Sequence, residues 1–358
     1  MQTKASDKLS NIYQNETLFM ILRIAITLLI VSSTVSSTAE ELNILFIGNS
    51  FTARHDIAGL VEQILEEGDP ETDVNVQRVI YGGQNMFKHS TFYFSQSVIE
   101  QSTLTQDAIQ NRIAQMKEFL KNDKPPKPEE WNRHWASLGK ANMRFSDIHK
   151  HISKAIKVHE ALLRDNPKTK WDYVVLQSWR DVSDQPNRAY ERYATKLAEI
   201  AKSQGAEVIL YMTSPETQNQ NPVTGPYNPA SAERDTAVGS RMAKTLQPKA
   251  VIPVPLAIKN IQTGDSDNPG TDLVFRYHND GHPNQTCAFL VANLFYAAIT
   301  GKSPEGLAFN SVTENKLKSG KDPDGGEPTM VFENEKKAFL QRMAYESVQE
   351  FNRDIEKK

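Results

Sequence analysis

The sequence predicts an α/β fold, a single three-layer α/β/α domain built on a parallel sheet. Short apolar runs rich in Ile, Val and Leu alternate along the chain with longer stretches whose apolar residues recur at helical spacing. Several of those runs end in polar or glycine-containing turns, as buried strands do where they feed a following helix. No internal repeat, coiled coil or extended low-complexity tract points to another architecture. A β-α order repeated along one chain places helices on both faces of a parallel sheet.

The first strand is the run Leu42, Ile44, Leu45, Phe46, Ile47, which stops at Gly48-Asn49-Ser50. A helix follows from near His55, with Ile57, Leu60, Val61, Ile64 and Leu65 on one face. Val74, Val76 and Val79-Ile80 predict a second strand ending at Tyr81-Gly82-Gly83-Gln84-Asn85. Paired glycines there let backbone N–H groups approach a ligand closely, although a simple turn needs the same residues. Residues from about 87 to 142 break the alternation. They hold a helix through Ile109, Ile113, Met116 and Leu120, a Pro-Lys-rich stretch, and Trp131 and Trp135. This segment is expected to be a helical insertion packed over the crevice, its tryptophans in a core or lining a substrate site.

A further helix runs through Ile152, Ile156 and Leu162-Leu163; its His149 and His151 do not share a face, which argues against a metal site there. Trp171–Ser178 predicts a third strand, Asn187–Gln204 a helix, Ala206–Tyr211 a fourth strand, Ala230–Leu246 a helix and Ala250–Val254 a short fifth strand. Glu216–Pro229 and Gln262–Asp272 read as loops. The apolar helix Ala288–Ile299 follows the segment Phe275–Asn284 and closes at Gly301. Residues 311–358 read as a polar loop and a terminal helix near Glu333–Asp354, packed on a domain spanning 40–310.

Composition narrows the function classes. A formal net charge of −3 over 358 residues gives no reason to expect a nucleic-acid partner. The single cysteine, Cys287, rules out an intrachain disulfide and a multi-thiolate metal site, and its apolar helical setting suits an inert core thiol. Arg23, the apolar run Ile24–Val31 and the small residues up to Ala39 have the order of a cleavable signal peptide, so residues 1–39 are read as one. Translation from Met20 would give a signal of more usual length. The apolar run is too short for a stable membrane span after cleavage. An exported protein, periplasmic or secreted, is the expectation.

The chemistry is expected where strand ends meet. Acyl transfer by serine needs a hydroxyl, a base to take its proton, a group orienting that base and N–H donors for the developing oxyanion. Ser50 supplies the hydroxyl and His282 the base, with Asp280 or Asn279 as the orienting group. The Ser50 and Gly83 amides and the Gln177 side chain are candidate donors, with Asn49 beside them. The sequence equally allows Ser50 and Thr52 as mere helix N-caps.

Gly48-Asn49-Ser50-Phe51-Thr52 resembles the first block of the GDSL/SGNH hydrolases, and Asp280-Gly281-His282-Pro283-Asn284 resembles their late Asp/His block. The resemblance covers roughly Leu42–Gly301. It implies a flavodoxin-like five-stranded parallel sheet and a serine esterase or lipase-type mechanism without metal or other cofactor. It also implies Ser50 as nucleophile, His282 as base, and an oxyanion hole of Gly83 with the Ser50 amide. The sequence departs from the family at Asn49, which stands for an aspartate. It departs again at Gln177-Ser178-Trp179-Arg180-Asp181, where the family carries Gly-x-Asn-Asp, so Gln177 is the replacement donor. Asn279 holds the family's acid position and Asp280 the next one; Asp280 is favoured because a loop can absorb a one-residue shift. A histidine base must be neutral, so activity is expected to fall on the acid side, on the order of pH 6–7.

The expected substrate is a small-molecule or carbohydrate ester, an O-acetylated carbohydrate fitting an exported enzyme. Two other classes stay open. His278, Asp280 and His282 alternate and carry donors suited to zinc, which would make a metal-dependent hydrolase. The missing family asparagine instead suits a non-catalytic protein that binds glycans or a partner.

Overall fold

Residue parity along the strands divides the core in two. Leu45, Ile47, Val174, Leu176, Val208, Leu210 and Val251 pack into one apolar cluster, while Ile44, Phe46, Val175, Ile209, Tyr211 and Ile252 pack into another. Successive side chains of a strand point to opposite faces, so both faces of this sheet are covered. The computed structural model describes residues 40–121, 149–178, 182, 189–213, 229–263, 270 and 273–357. The expected signal peptide, Trp131, Trp135 and nearly all of the two loops at 216–229 and 262–272 lie outside them.

The five strands are β1 (Glu40–Gly48), β2 (Thr72–Ile80), β3 (Tyr173–Ser178), β4 (Glu207–Met212) and β5 (Ala250–Pro253), in the order β2-β1-β3-β4-β5. β1 pairs with β3 in parallel (Phe46 opposite Val175), β3 with β4 and β4 with β5. This is a parallel sheet of the flavodoxin-like order, with its topological switch between β1 and β3. At that switch the loops after neighbouring strands diverge and leave a crevice at the carboxyl edge.

The short helix α1 (Ser50–Ala53) and a 3-10 turn (Arg54–Asp56) lead into α2 (Ile57–Gly68). The helix expected from near His55 is thus α2, which starts at Ile57 once this turn is complete. His55 and Asp56 lie in the left-handed region, at φ 57° and 52°. Such a conformation costs on the order of 1–3 kcal/mol per non-glycine residue. It is held by His55 Nε2–H donating to Pro283 O at 2.8 Å and by Arg78 gripping both oxygens of Asp56 at 2.6 and 2.9 Å.

After β2 come α3 (Met86–Thr91), α4 (Gln96–Ile99), α5 (Gln106–Lys121) and α6 (His149–Asp165). Phe87, Phe92, Tyr93, Val98, Ile109 and Ile113 are buried in the same cluster as Leu45 and Leu176. Residues 86–121 thus form part of the helical layer on one sheet face, where the sequence predicts an insertion over the crevice. Within this segment three helices follow one another without an intervening strand. α7 (Ala189–Ser203) and α8 (Pro229–Leu246) complete this layer.

The opposite face carries α2, α9 (Val254–Gln262), α10 (Gln285–Thr300) and α11 (Asn334–Glu356). α10 is buried from Gln285 to Ala297, which explains why its apolar residues run almost continuously instead of in one stripe. Asn284 caps its start by accepting from Cys287 N at 3.1 Å, and Gly301, at φ 71°, closes its end. Between α10 and α11 a two-stranded antiparallel ribbon, β6 (Ser311–Thr313) and β7 (Thr329–Val331), replaces the loop expected there. Among the described residues no helix is long and apolar enough to cross a membrane.

Candidate active site

Gly48 ends β1, and its carbonyl accepts from Tyr81 N at 3.1 Å and from His89 Nε2–H at 2.9 Å. A Cβ at position 48 would lie 2.6 Å from Gln177 Oε1 and 2.7 Å from Thr52 Oγ1, so only glycine fits. Asn49, 1% exposed, is the N-cap of α1: its Oδ1 accepts from Phe51 N at 3.1 Å and its Nδ2 donates to Gln84 O at 3.0 Å. Because Asn49 does the capping, the Ser50 hydroxyl is left for other work. The N-cap role that the sequence allowed for Ser50 and Thr52 is not the one observed. The Asn49–Gln84 bond also fastens the Gly82-Gly83 turn beside the Ser50 turn, with Gly83 in the left-handed region at φ 72°.

The second loop is shaped by an antiparallel bridge between Arg276 and Pro283, with Tyr277 N donating to His282 O at 3.1 Å. Residues 278–281 bulge from that bridge. Ser50 Oγ lies 2.8 Å from His282 Nε2. His282 Nδ1 is hydrogen-bonded to Asp280 Oδ1, which also accepts from His282 N at 3.2 Å. The tautomer follows: Nδ1–H donates to the carboxylate, so Nε2 is free to accept from Ser50. The Phe51 ring stands 5.2 Å from the imidazole, centroid to centroid, and limits its rotation.

Asn279 faces elsewhere. Its backbone N and Nδ2 both donate to Asp324 Oδ1, at 2.9 and 3.1 Å, in the β6–β7 connection. Asp280, two residues before the histidine, occupies the orienting position. Gln177 also departs from expectation. It is fully buried, its Oε1 accepts from Asn49 N at 2.9 Å and Thr52 Oγ1 at 3.0 Å, and its Nε2 faces Thr213 Oγ1 at 3.4 Å. The backbone donor at Asn49 fixes which end of the amide is oxygen, so Gln177 braces the Ser50 turn and presents no N–H to the crevice. Its place within β3, opposite Tyr211, is the reason: it belongs to the sheet and not to the loop beyond it.

Asp280 is held firmly ionised. Burial alone would raise its pKa, but hydrogen bonds from His282 and Arg54, and their charges, outweigh this and hold the carboxyl far below the usual range. Arg54 NH1 donates to Asp280 Oδ2 at 2.8 Å, and Lys316 Nζ lies 3.4 Å from the same oxygen. With both oxygens so engaged and two cations adjacent, Asp280 is a poor zinc ligand. Among the described residues no group of three or more His, Cys, Asp or Glu is placed to hold a metal. The alternation of His278, Asp280 and His282 is broken by the bulge, and the His278 backbone is tied to Asp324 at 2.7 Å.

Sequence reading missed Arg54, Glu314, Asp324 and His89. His89 is fully buried, donating to Gly48 O and accepting from Ser95 Oγ at 2.7 Å. Burial outweighs its hydrogen bond to Gly48 and lowers its pKa from 6.5 to about 3. His159 is likewise lowered to about 4, chiefly by burial. A second Ser–His pair, Ser97 Oγ to His159 Nε2 at 2.6 Å, is fully buried, and His159 Nδ1–H goes to Ala155 O at 2.8 Å. With no access and no carboxylate on its imidazole, that pair is structural.

The neutral buried histidines have a consequence for stability. In the unfolded chain each takes a proton near pH 6.5, whereas the native sites refuse one until about pH 3 and 4. Their contribution is therefore complete above pH 6.5 and is lost as pH falls toward those values. The urea midpoint is expected to decline steadily between pH 6.5 and 4.5, before most carboxylates titrate. A midpoint constant over that window would contradict this assignment.

Beside the two loops lies a small hollow, with only about 20 Å3 open to a water-sized sphere, lined by Phe51, Gly281 and Pro283 and by apolar residues such as Val254, Ile258 and Phe275.

Fold and site together define an α/β/α protein with a Ser–His–Asp constellation at the carboxyl edge of a flavodoxin-like sheet. No protein-family model and no curated protein matches the chain. A solved structure similar to it is described as "a putative SGNH hydrolase from Slackia heliotrinireducens": 18% identical, TM-score 0.40, covering 73% of this chain and 100% of that one.

Proposed function

We propose that this chain is an exported serine hydrolase that cleaves a carboxylic ester through an acyl-enzyme. One observation carries the reading: a half-buried serine hydroxyl 2.8 Å from an imidazole whose other nitrogen is bonded to a half-buried carboxylate. Ser50 Oγ attacks the acyl carbonyl as His282 Nε2 takes its proton. The imidazolium, steadied by Asp280, then protonates the departing alcohol, and water repeats the cycle on the acyl-Ser50 ester. The donors assigned to the developing oxyanion are the Ser50 amide, first in α1 and without an intrahelical acceptor, and the Gly83 amide. Imidazole and serine need no metal for this. The substrate is a small-molecule or carbohydrate ester such as an O-acetyl sugar, since the small apolar hollow beside the site leaves room for no more than a short acyl group. Export rests on the basic, apolar and small-residue order of residues 1–39.

A second reading, a non-catalytic glycan- or partner-binding protein, is favoured by one feature. The commitment of Gln177 to Asn49 and Thr213 leaves the oxyanion to two backbone donors where the family has a third, and losing one such donor costs roughly two to three orders of magnitude. The test is hydrolysis of p-nitrophenyl acetate after exhaustive chelation. The serine reading expects saturable turnover undiminished by chelator. Activity removed by chelator and restored by zinc would overturn it, and no turnover of any ester would favour the binding reading.

A further inference from the structure

We infer that Arg54 and Glu314 form a buried charge clamp that fixes where the Asp280 carboxylate sits and how much negative charge it presents to His282. They are thus positioning residues, and the β6–β7 ribbon is part of the site. The inference rests on the hydrolase reading for its kinetic consequence but not for its physical one.

The clamp joins three separate pieces of chain. Arg54 lies just beyond α1, and its backbone N donates to Ser50 O. Its NH1 holds Asp280 Oδ2 at 2.8 Å, while Nε reaches Glu314 Oε1 and Oε2 at 3.0 and 3.2 Å and NH2 also bonds Glu314. The guanidinium lies over the Tyr277 ring, 5.3 Å from its centroid, which fixes its plane. Arg54 is 4% exposed and Glu314 1%. One planar side chain therefore ties the Ser50 turn to the His282 loop, and the ribbon holds that side chain from behind. The residues after Glu314 repeat the link. Asn315 Nδ2 donates to Ala53 O at 2.6 Å and its Oδ1 accepts from His55 N at 3.3 Å; Lys316 reaches Asp280. Across the connection Asp324 holds His278 and Asn279.

Charge explains why Glu314 is needed as well as Arg54. An arginine paired with Asp280 alone would draw the carboxylate's charge away from His282. Glu314 shares that arginine. Arg54 and Lys316 carry two positive charges, Asp280 and Glu314 two negative ones, so the cluster is neutral before His282 takes a proton. His55, 3.6 Å from Glu314, adds no charge, because burial lowers its affinity for a proton. Buried ion pairs are weak contributors to stability, and a neutral replacement of similar volume often costs little. A purely structural pair would therefore leave kcat at the wild-type level when it is replaced without loss of the fold.

The test is the NMR titration of the His282 imidazole in unreacted protein, assigned with His282→Asn, alongside kcat for the best ester. Three proteins are compared: wild type, Glu314→Gln, and the double variant Arg54→Met/Glu314→Gln, which leaves no buried charge unpaired. Glu314→Gln should lower the titration midpoint by about one pH unit, since Arg54 then bears on Asp280 alone. The double variant should raise it above wild type by a similar amount, because the nearer positive charge is gone. The double variant should also lose at least about tenfold in kcat with its fold intact, Asp280 Oδ2 having lost its anchor. Midpoints equal in all three proteins, or a folded double variant with wild-type kcat, would overturn the clamp. Because the titration needs no turnover, a wild type that hydrolyses no ester would fail the hydrolase reading while leaving this ordering of midpoints to be read.

Discussion

Replacing Ser50 by alanine should lower ester hydrolysis by about five to six orders of magnitude and leave the melting temperature within a degree or two of wild type. The size follows from serine hydrolases in general, in which loss of the nucleophile alone removes nearly all of the triad's contribution. The unchanged stability follows from this site. Asn49, not Ser50, caps α1, so alanine at position 50 costs no cap. The Ser50 hydroxyl has His282 Nε2 as its partner at a half-buried position that water can reach. Equal rates for wild type and Ser50→Ala, on esters that wild type hydrolyses, would move the reaction elsewhere in the molecule.

The second large effect separates two adjacent residues. Asp280→Asn should lower kcat by about four orders of magnitude, because the amide favours the wrong imidazole tautomer and cannot balance the imidazolium. Asn279→Ala should cost less than about tenfold, since Asn279 spends its donors on Asp324 and makes no bond to His282. Comparing kcat of the two variants on one ester checks the assignment, and a larger loss from Asn279→Ala would reverse it. Asp280→Asn should also weaken the hold of Arg54, so some loss of thermal stability is expected with it.

Much of this was legible in the sequence where the physics is local. The alternation of buried strands and amphipathic helices gave the layers, because parity and helical spacing are properties of short windows. Ser50, His282 and Asp280 were legible because each sits in a contiguous block whose turn chemistry is distinctive. The sequence favours Asp280 over Asn279 only because a loop can absorb a one-residue shift; the choice itself depends on how the segment between Arg276 and Pro283 points two neighbouring side chains. Gln177 was misassigned because a polar residue at the end of a strand looks like a loop residue, whereas strand register keeps it inside the sheet opposite Tyr211. Arg54 and Glu314 left no signal at all. They are 260 residues apart, and Glu314 lies in a polar stretch that reads as a solvated loop. Its burial comes only from the ribbon packing across both loops. His89 leaves no signal in the sequence; only its bond to Gly48 O shows that it supports the turn before Ser50.

The central claim is that one hydroxyl in this chain is activated by one imidazole. The most direct measurement is mass spectrometry of the intact protein and its peptides after reaction with a fluorophosphonate at neutral pH. The account predicts one adduct per chain, on the peptide containing Ser50, absent from Ser50→Ala and strongly slowed in His282→Ala. No adduct, or an adduct that persists when Ser50 is replaced, would contradict it.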